Sequence, residues 1–122
     1  MKIYFVGLLL SICATTAVAD GNLLLEQCNA VLRAMDQNDM GTAKSGVQAG
    51  SCLGMVEGVR NTMLILNSSL PEKMKICLPP TGIKNGQAVR VVVKYLNDNP
   101  EKLNEDSTLL TMLAIAHAYP CK

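Results

Sequence analysis

Residues 20–122 contain four cysteines, Cys28, Cys52, Cys77 and Cys121, which lie 24, 25 and 44 residues apart, and a fifth, Cys13, precedes them. An even number of cysteines in a small exported domain is typical of a disulfide framework. A zinc site would require closely spaced cysteines, usually together with histidine, and the chain has one histidine. We therefore predict two disulfides, no metal site and no cofactor. Any fold of this chain must bring the four cysteines together in pairs.

The N-terminal segment has the features of a signal peptide. Lys2 gives a positive start, residues 3–13 are apolar, and residues 17–19 (Ala-Val-Ala) form a small-x-small cleavage site. The apolar stretch is too short to span a bilayer as a helix. A lipoprotein processed at Cys13 is the alternative, although Ile12 is bulky where a small residue is expected. We predict that residues 1–19 are removed and that residues 20–122 form one domain in the bacterial periplasm, or outside the cell, without membrane insertion.

Charge and composition narrow the function and the fold class. Without Lys2, the chain has ten basic and ten acidic residues, so electrostatics gives no reason to expect a nucleic-acid or anionic-membrane partner. Residues 20–122 contain no Phe or Trp, and Tyr95 and Tyr119 are their only tyrosines. A core of Leu, Val, Ile, Met and Ala favours helices over an aromatic-rich β-sandwich.

Apolar residues recur at intervals of three and four, the pattern of helices with one buried face. The three valines at 91–93 favour a strand by propensity, but a strand would place Arg90 and Lys94 on the same face as Val92. We therefore predict a helix there too, and an all-α bundle of four to five helices in two consecutive hairpins. The predicted helices are residues 23–35, 45–66 with Ser45 as N-cap, 87–98 and 108–118, with a restart at Asn99 and Pro100. The last is apolar nearly all round, which predicts a central position.

The hairpins indicate how the cysteines pair, because residues equidistant from the turn of an antiparallel hairpin face each other. Cys28 and Cys52 are equidistant from Met40, in the first predicted turn. Cys77 and Cys121 are equidistant from Asn99, in the second. This symmetry favours the pairs 28–52 and 77–121. Each closed loop is worth about 3–4 kcal/mol on the chain-entropy argument.

Glycines at positions 46, 50, 54 and 58 form a stripe along the second predicted helix. Each glycine costs roughly 0.5–1 kcal/mol relative to alanine inside a helix. On a helical wheel, Gly46, Gly50, Gly54 and Gly58 lie away from Cys52 and its apolar neighbours. The stripe therefore predicts a second contact, either close helix packing within the monomer, a dimer contact or direct partner binding.

The connection over residues 67–86 is rich in Pro and Gly and long for a compact domain. Cys77 ties it down near its middle, which argues against disorder. Glu72, Lys73 and Lys75 form a charged cluster there, which reads either as a solvated loop or as a protein-binding tip.

The residues do not form a catalytic arrangement. His117 is the only histidine and lies in the apolar run AIAHAYP, so we interpret it as a partly buried structural residue. Motifs for nucleophilic hydrolases, metalloproteases and nucleotide-binding enzymes do not occur. We predict a protein that is not an enzyme.

Three stretches, CLGMVEGV, ICLPPTGIKNGQAVRVVVKYLNDNPEKL and AIAHAYPC, resemble the Rap/Tai family of type VI secretion amidase immunity proteins over nearly all of residues 20–122. The resemblance implies a helical, disulfide-bonded periplasmic protein, often a homodimer, that plugs the active-site cleft of a secreted cell-wall amidase with a protruding loop. Met55 and Asn61 depart from the family pattern, which commonly has an aromatic and an acidic residue at or near these positions. Carried onto this chain, the loop is residues 67–75, with candidate partner-binding residues Ser68, Ser69, Leu70, Glu72, Lys73 and Lys75.

A second hypothesis belongs to another class of small exported helical protein, the periplasmic stress or acid-protective chaperone. It predicts promiscuous client binding, with dissociation or partial unfolding near about pH 2–3. Two disulfides and a balanced charge weigh against such a switch.

Overall fold

The computed structural model describes residues 19–39 and 41–122, and these form four α-helices and three single-turn 3-10 helices. Most of the predicted signal peptide (residues 1–18) and Met40 lie outside the described residues. The prediction of an all-α, disulfide-stapled bundle is confirmed. The helices are α1 (Gly21–Gln37), α2 (Ala43–Ile65), α3 (Asn85–Asp98) and α4 (Ser107–Ala118).

Short polar side chains fix where three of the helices begin. The carboxylates of Asp20 and Asp106 accept hydrogen bonds at 3.0 Å from the backbone N–H groups of Leu23 and Leu109, at the starts of α1 and α4. The cap of α2 is Thr42, whose hydroxyl accepts from the Ser45 N–H at 3.3 Å. The prediction of Ser45 as the N-cap is therefore wrong. The backbone is still extended at Thr42, and the helix begins at the next residue. The Ser45 N–H therefore lies in the first turn, where it has no backbone acceptor within the helix and donates to the Thr42 hydroxyl instead.

The first hairpin consists of α1 and α2, which pack along each other and are joined by a short turn. Asn38 and Gly41 have φ angles of 51° and 60°, a left-handed conformation that Asn and Gly adopt most readily. Behind this turn the Cys28–Cys52 disulfide joins the two helices, and both cysteines are fully buried. This is one of the two pairs that the hairpin symmetry favoured.

The second hairpin consists of α3 and α4, which pack against each other and against the first pair. Val89, Val92 and Leu96 of α3 are buried, while Arg90 is exposed. The segment with three valines is thus a helix, as predicted, because its apolar residues share the face toward the core. The predicted restart is present as the single-turn 3-10 helix Pro100–Lys102, with Asn99 at the cap position and Pro100 at the first helical position.

The last helix is less central than its composition predicts. Leu110, Ala114 and Ile115 are buried, but Leu109 is 41% exposed and His117 is also exposed. The interpretation of His117 as a partly buried residue is therefore wrong. One side of α4 packs on α2 and α3, and its other side lies at the surface.

The two ends of the described chain are anchored to the bundle. At the N-terminal end, the Gly21 and Asn22 N–H groups donate at 3.1 Å to the carbonyls of Glu105 and Leu103. A side chain at Gly21 would place its Cβ 2.4 Å from Leu110 Cδ1, so this approach requires glycine. At the C-terminal end, the second disulfide joins Cys77 to Cys121.

Within the described part of the chain, none of the helices combines the length and apolar character needed to cross a membrane.

Candidate functional site

The connection from α2 to α3 is folded rather than extended. It contains two single-turn 3-10 helices, Asn67–Ser69 and Glu72–Met74. Backbone hydrogen bonds hold each turn, from the Ser69 N–H to the Leu66 carbonyl and from the Met74 N–H to the Pro71 carbonyl, both at 2.8 Å. The connection therefore has a defined shape.

One side chain closes the base of this loop. The amide of Asn67 accepts a hydrogen bond from the Ile76 N–H at 2.9 Å and donates one to the Ile76 carbonyl at 3.0 Å. Ile76 itself is 1% exposed, so its side chain anchors the C-terminal end of the loop in the core. We call residues 67–76 the anchored loop.

The residue that follows ties the anchored loop to the C-terminus. The Cys77 N–H donates to the Tyr119 carbonyl at 2.9 Å, Ile76 and Pro120 form an antiparallel bridge, and Cys77 is bonded to Cys121. The loop thus stands on a base with a covalent link and several hydrogen bonds. Much of the conformational entropy of this loop is therefore lost when the protein folds, and little remains to be lost in a later binding step.

The predicted partner-binding residues divide into two groups. Ser68, Ser69, Glu72 and Lys73 are exposed and lie on the outer surface of the anchored loop. Leu70 and Lys75 are only partly exposed: Leu70 packs against the core, and Lys75 pairs with the carboxylate of Glu72. The first group is available for contact with a partner, and the second supports the shape of the loop.

Sequence reasoning missed the role of Asn67, because its two hydrogen-bond partners belong to a residue nine positions away. It also missed an apolar groove of about 190 Å³ beside the anchored loop. We call it the apolar groove. Its walls come from α2, α4 and the start of the loop: Gly58, Val59, Thr62, Met63, Leu66, Leu70, Thr108 and Met112. The run of apolar residues Leu64, Ile65 and Leu66 at the end of α2 was the available sequence signal, and Leu66 lines the groove.

The glycine stripe faces outward. A Cβ built at Gly46, Gly50, Gly54 or Gly58 would meet nothing within 4 Å. Close helix packing within the monomer, one of the three explanations offered for the stripe, is therefore wrong. The other helices do not cover the four glycines, although Gly58 also lines the apolar groove beside Thr108 and Met112 of α4. Val47 and Ile65, 71% and 80% exposed, lie on the same outward side.

Comparison with known proteins identifies the group to which this disulfide-stapled bundle belongs. The family of Rap1a immunity proteins matches residues 20–121, almost the whole described chain. The chain belongs to the Rap1a immunity protein family. A search of curated proteins and a search of solved structures each found no match. Membership implies that the protein binds an effector protein, supports a role in type VI secretion immunity and suggests a non-enzymatic inhibitor.

The structure accommodates both departures from the Rap/Tai pattern. Met55 is partly buried against the core, and its sulfur lies 3.8 Å from the Thr108 hydroxyl of α4. The Asn61 side-chain oxygen accepts two hydrogen bonds at 3.3 Å from the guanidinium of Arg60, which is 9% exposed. A third bond, at 3.2 Å, joins Arg60 to the Ile83 carbonyl. Asn61 therefore satisfies a largely buried cation with a neutral amide.

Proposed function

We propose that this Rap1a family member is a periplasmic immunity protein, exported by a cleavable signal peptide on residues 1–19. It binds and inhibits a type VI secretion peptidoglycan amidase by inserting the anchored loop into the active-site cleft of that effector. The observation that carries the proposal is the construction of the loop, which is clamped by Asn67 and tied down by the Cys77–Cys121 disulfide. A loop of fixed shape loses little further entropy on binding, so more of its contact energy appears as affinity.

The polar tip and the apolar groove together have the composition of a protein-binding surface. Glu72 has an 83% exposed side chain at the tip, and Lys73 lies next to it. Leu66 and Leu70 both line the groove, and Leu70 belongs to the anchored loop, so the groove and the loop are adjacent. Interfaces of proteins that also exist apart commonly combine an apolar centre with a polar rim. In the proposed complex, apolar effector side chains fill the groove while the loop tip enters the cleft.

The test is inhibition of candidate peptidoglycan amidases by the purified protein, with affinity measured by calorimetry. We expect one-to-one binding per subunit and loss of inhibition when Glu72, Lys73 and Lys75 are all replaced by alanine. The single variant Lys73→Ala separates contact from loop shape, because it leaves the ion pair of Lys75 and Glu72 in place. Lys44→Ala, exposed on α2 away from the loop, removes the same charge as Lys73→Ala and is the matched control. Undiminished inhibition by the triple variant would exclude the loop.

We further propose that the glycine stripe is the contact of a homodimer. Bare backbone at Gly50 and Gly54 would let the α2 helices of two subunits approach closely, and exposed Val47 and Ile65 would then be covered. Replacing Gly50 with Arg should convert the dimer to a folded monomer, as measured by light scattering during gel filtration. Because nothing lies within 4 Å of this position in the monomer, the variant should retain its helical circular dichroism. A dimer that survives this change would rule out the stripe as the interface.

A further inference from the structure

A second cavity of the described chain shares no lining residue with the anchored loop or the apolar groove. It is an open cleft of about 640 Å³ between α3 and α4, within the usual range for small-molecule sites. We call it the α3/α4 cleft. Ala114 and Ala118, one helical turn apart on α4, both line it. Their small side chains leave room that larger residues would fill.

Two rings form one wall of the cleft. Tyr95 of α3 and His117 of α4 lie with ring centroids 5.9 Å apart and planes inclined at 56°. The ammonium group of Lys102, from the following 3-10 helix, lies 3.3 Å from the Tyr95 hydroxyl and 5.5 Å from the ring centroid. An apolar floor, an aromatic wall and a cation therefore meet in one cleft.

The charges of the cleft are unequal. Lys94 and Asp98 lie on its edge and neutralise each other, with the ammonium and carboxylate 2.6 Å apart. None of the ion pairs among the described residues includes Lys102, whose hydrogen-bond partner is the neutral Tyr95 hydroxyl. That hydrogen bond raises the pKa of Lys102 above its ordinary value, and nearby Glu101 and Glu105 contribute further. The cleft therefore has one positive charge that its lining residues do not neutralise.

We propose that the α3/α4 cleft binds a small carboxylate ligand of the size of a short peptide. Lys102 and the Tyr95 hydroxyl hold the carboxylate, while the alkyl part of the ligand lies on Ala114 and Ala118 beside the two rings. An ammonium that takes part in none of the ion pairs of the described residues, but has Glu101 and Glu105 nearby, matches a monoanion better than a phosphate of higher charge. The small apolar floor matches short alkyl side chains. The inference is independent of the proposed effector surface, since it uses none of its residues.

The first test is a titration of the ¹⁵N-labelled protein (residues 20–122) with N-acetyl-alanyl-alanine, followed by NMR. Its C-terminal amide is the matched control, because it differs only in lacking the negative charge. We expect saturable shifts confined to the amides around Tyr95, Lys102, His117 and Ala118, and about tenfold weaker binding of the amide form. Absence of saturable shifts, shifts elsewhere, or equal binding of the two forms would overturn the proposal.

The second test uses variants of the cleft. Lys102→Gln keeps the length of the side chain and removes its charge, and should weaken binding of the carboxylate form by about tenfold or more. Lys44→Gln removes the same charge from the exposed surface of α2 and should leave binding unchanged. Ala118→Met should obstruct the floor; since Ala118 is exposed, its melting temperature should stay near that of the parent. Equal losses in Lys102→Gln and Lys44→Gln would show non-specific charge attraction and refute the site.

Discussion

At the scale of single residues, Asn67 has the greatest effect on the candidate site. Its side-chain amide acts as a substitute for a strand partner, since it pairs with both the N–H and the C=O of Ile76. These are backbone groups of a residue that is 1% exposed, where an unsatisfied donor or acceptor is costly. The loop between them keeps its shape because one side chain meets both requirements.

Replacement of Asn67 by alanine should therefore reduce both stability and effector affinity. Loss of the two hydrogen bonds should lower the free energy of unfolding by about 1–3 kcal/mol, as measured by urea denaturation. The exposed neighbour Ser68 is the control, and Ser68→Ala should change stability by less than about 0.5 kcal/mol. Equal stability of the two variants would show that Asn67 does not hold the loop base.

At the scale of elements, α2 is unusual because it has little separation between an apolar and a polar side. Its inner face contains Cys52, Val56 and Met63, all at most 1% exposed. Its outer face combines bare glycines with exposed Val47 and Ile65. A helix of this kind depends on tertiary packing and on its disulfide rather than on intrinsic propensity.

The open glycine face predicts that alanine will stabilise the monomer. Gly50→Ala and Gly54→Ala should each raise the free energy of unfolding by about 0.5–1 kcal/mol, measured by denaturation at a concentration where the chain is monomeric. Gly21→Ala is the contrasting control, since its new methyl group would lie 2.4 Å from Leu110 Cδ1 and should destabilise. Destabilisation by Gly50→Ala in the monomer would mean that the stripe is covered within a single chain.

At the scale of the whole molecule, the two disulfides have different surroundings and should have different effects. On the chain-entropy argument, each disulfide should raise the free energy of unfolding by about 3–4 kcal/mol because of the loop that it closes. Cys28→Ala/Cys52→Ala should cost more than this, because it also removes two sulfur atoms from fully buried positions in the core. Cys77→Ser/Cys121→Ser should lose about the loop-closure amount, since Cys77 is exposed, but should weaken effector binding more strongly. Urea denaturation and calorimetry on both double variants measure the two effects, and the opposite ranking in stability would contradict this account.

Two carboxylates, those of Asp36 and Asp20, should make the stability of the protein depend on pH in the acid range. Hydrogen bonding to Arg90 lowers the pKa of Asp36, and the Leu23 N–H does the same for Asp20. A group whose pKa is lower in the folded state adds stability above its unfolded pKa, and this is lost as pH falls through the folded value. Stability should therefore be level from pH 7 to about pH 5 and fall below about pH 4.

A mutant cycle checks the assignment of this acid response. Asp36→Asn, Arg90→Gln and the double variant should each show a shallower decrease in stability below about pH 4 than the parent, measured by denaturation across the pH range. An unchanged slope in all three would exclude this pair as a source.

Fluorescence of an apolar dye at about pH 2–3 addresses the chaperone hypothesis, which requires exposed apolar surface there.

Much of the fold could be predicted from the sequence because its determinants are local or counted along the chain. The period of the apolar residues identified all four helices, including α3 despite its three valines. The equal spacing of cysteines about two turns indicated the pairing that the structure contains. The N-cap of α2 was misplaced by three residues, since Thr42 and Ser45 are both acceptable caps and only backbone conformation distinguishes them.

The candidate site was predicted less completely. The position of the loop followed from its length, its prolines and the resemblance to the family. The support of the loop did not, because the Asn67–Ile76 pairing and the apolar groove join residues far apart in the chain. The same holds for the glycine stripe and the α3/α4 cleft.

By itself, then, the sequence determined the helices, the favoured pairing of its cysteines and the family to which the chain belongs, because periodicity, spacing and motif are properties of the chain. Only the tertiary structure decided which surfaces stay open. It showed that the glycines of α2 face open space, that His117 is at the surface and that Lys102 lines a cleft and takes part in none of the ion pairs of the described residues. The physical reason is that exposure depends on where the other helices pack, and the pattern of one helix does not contain that information.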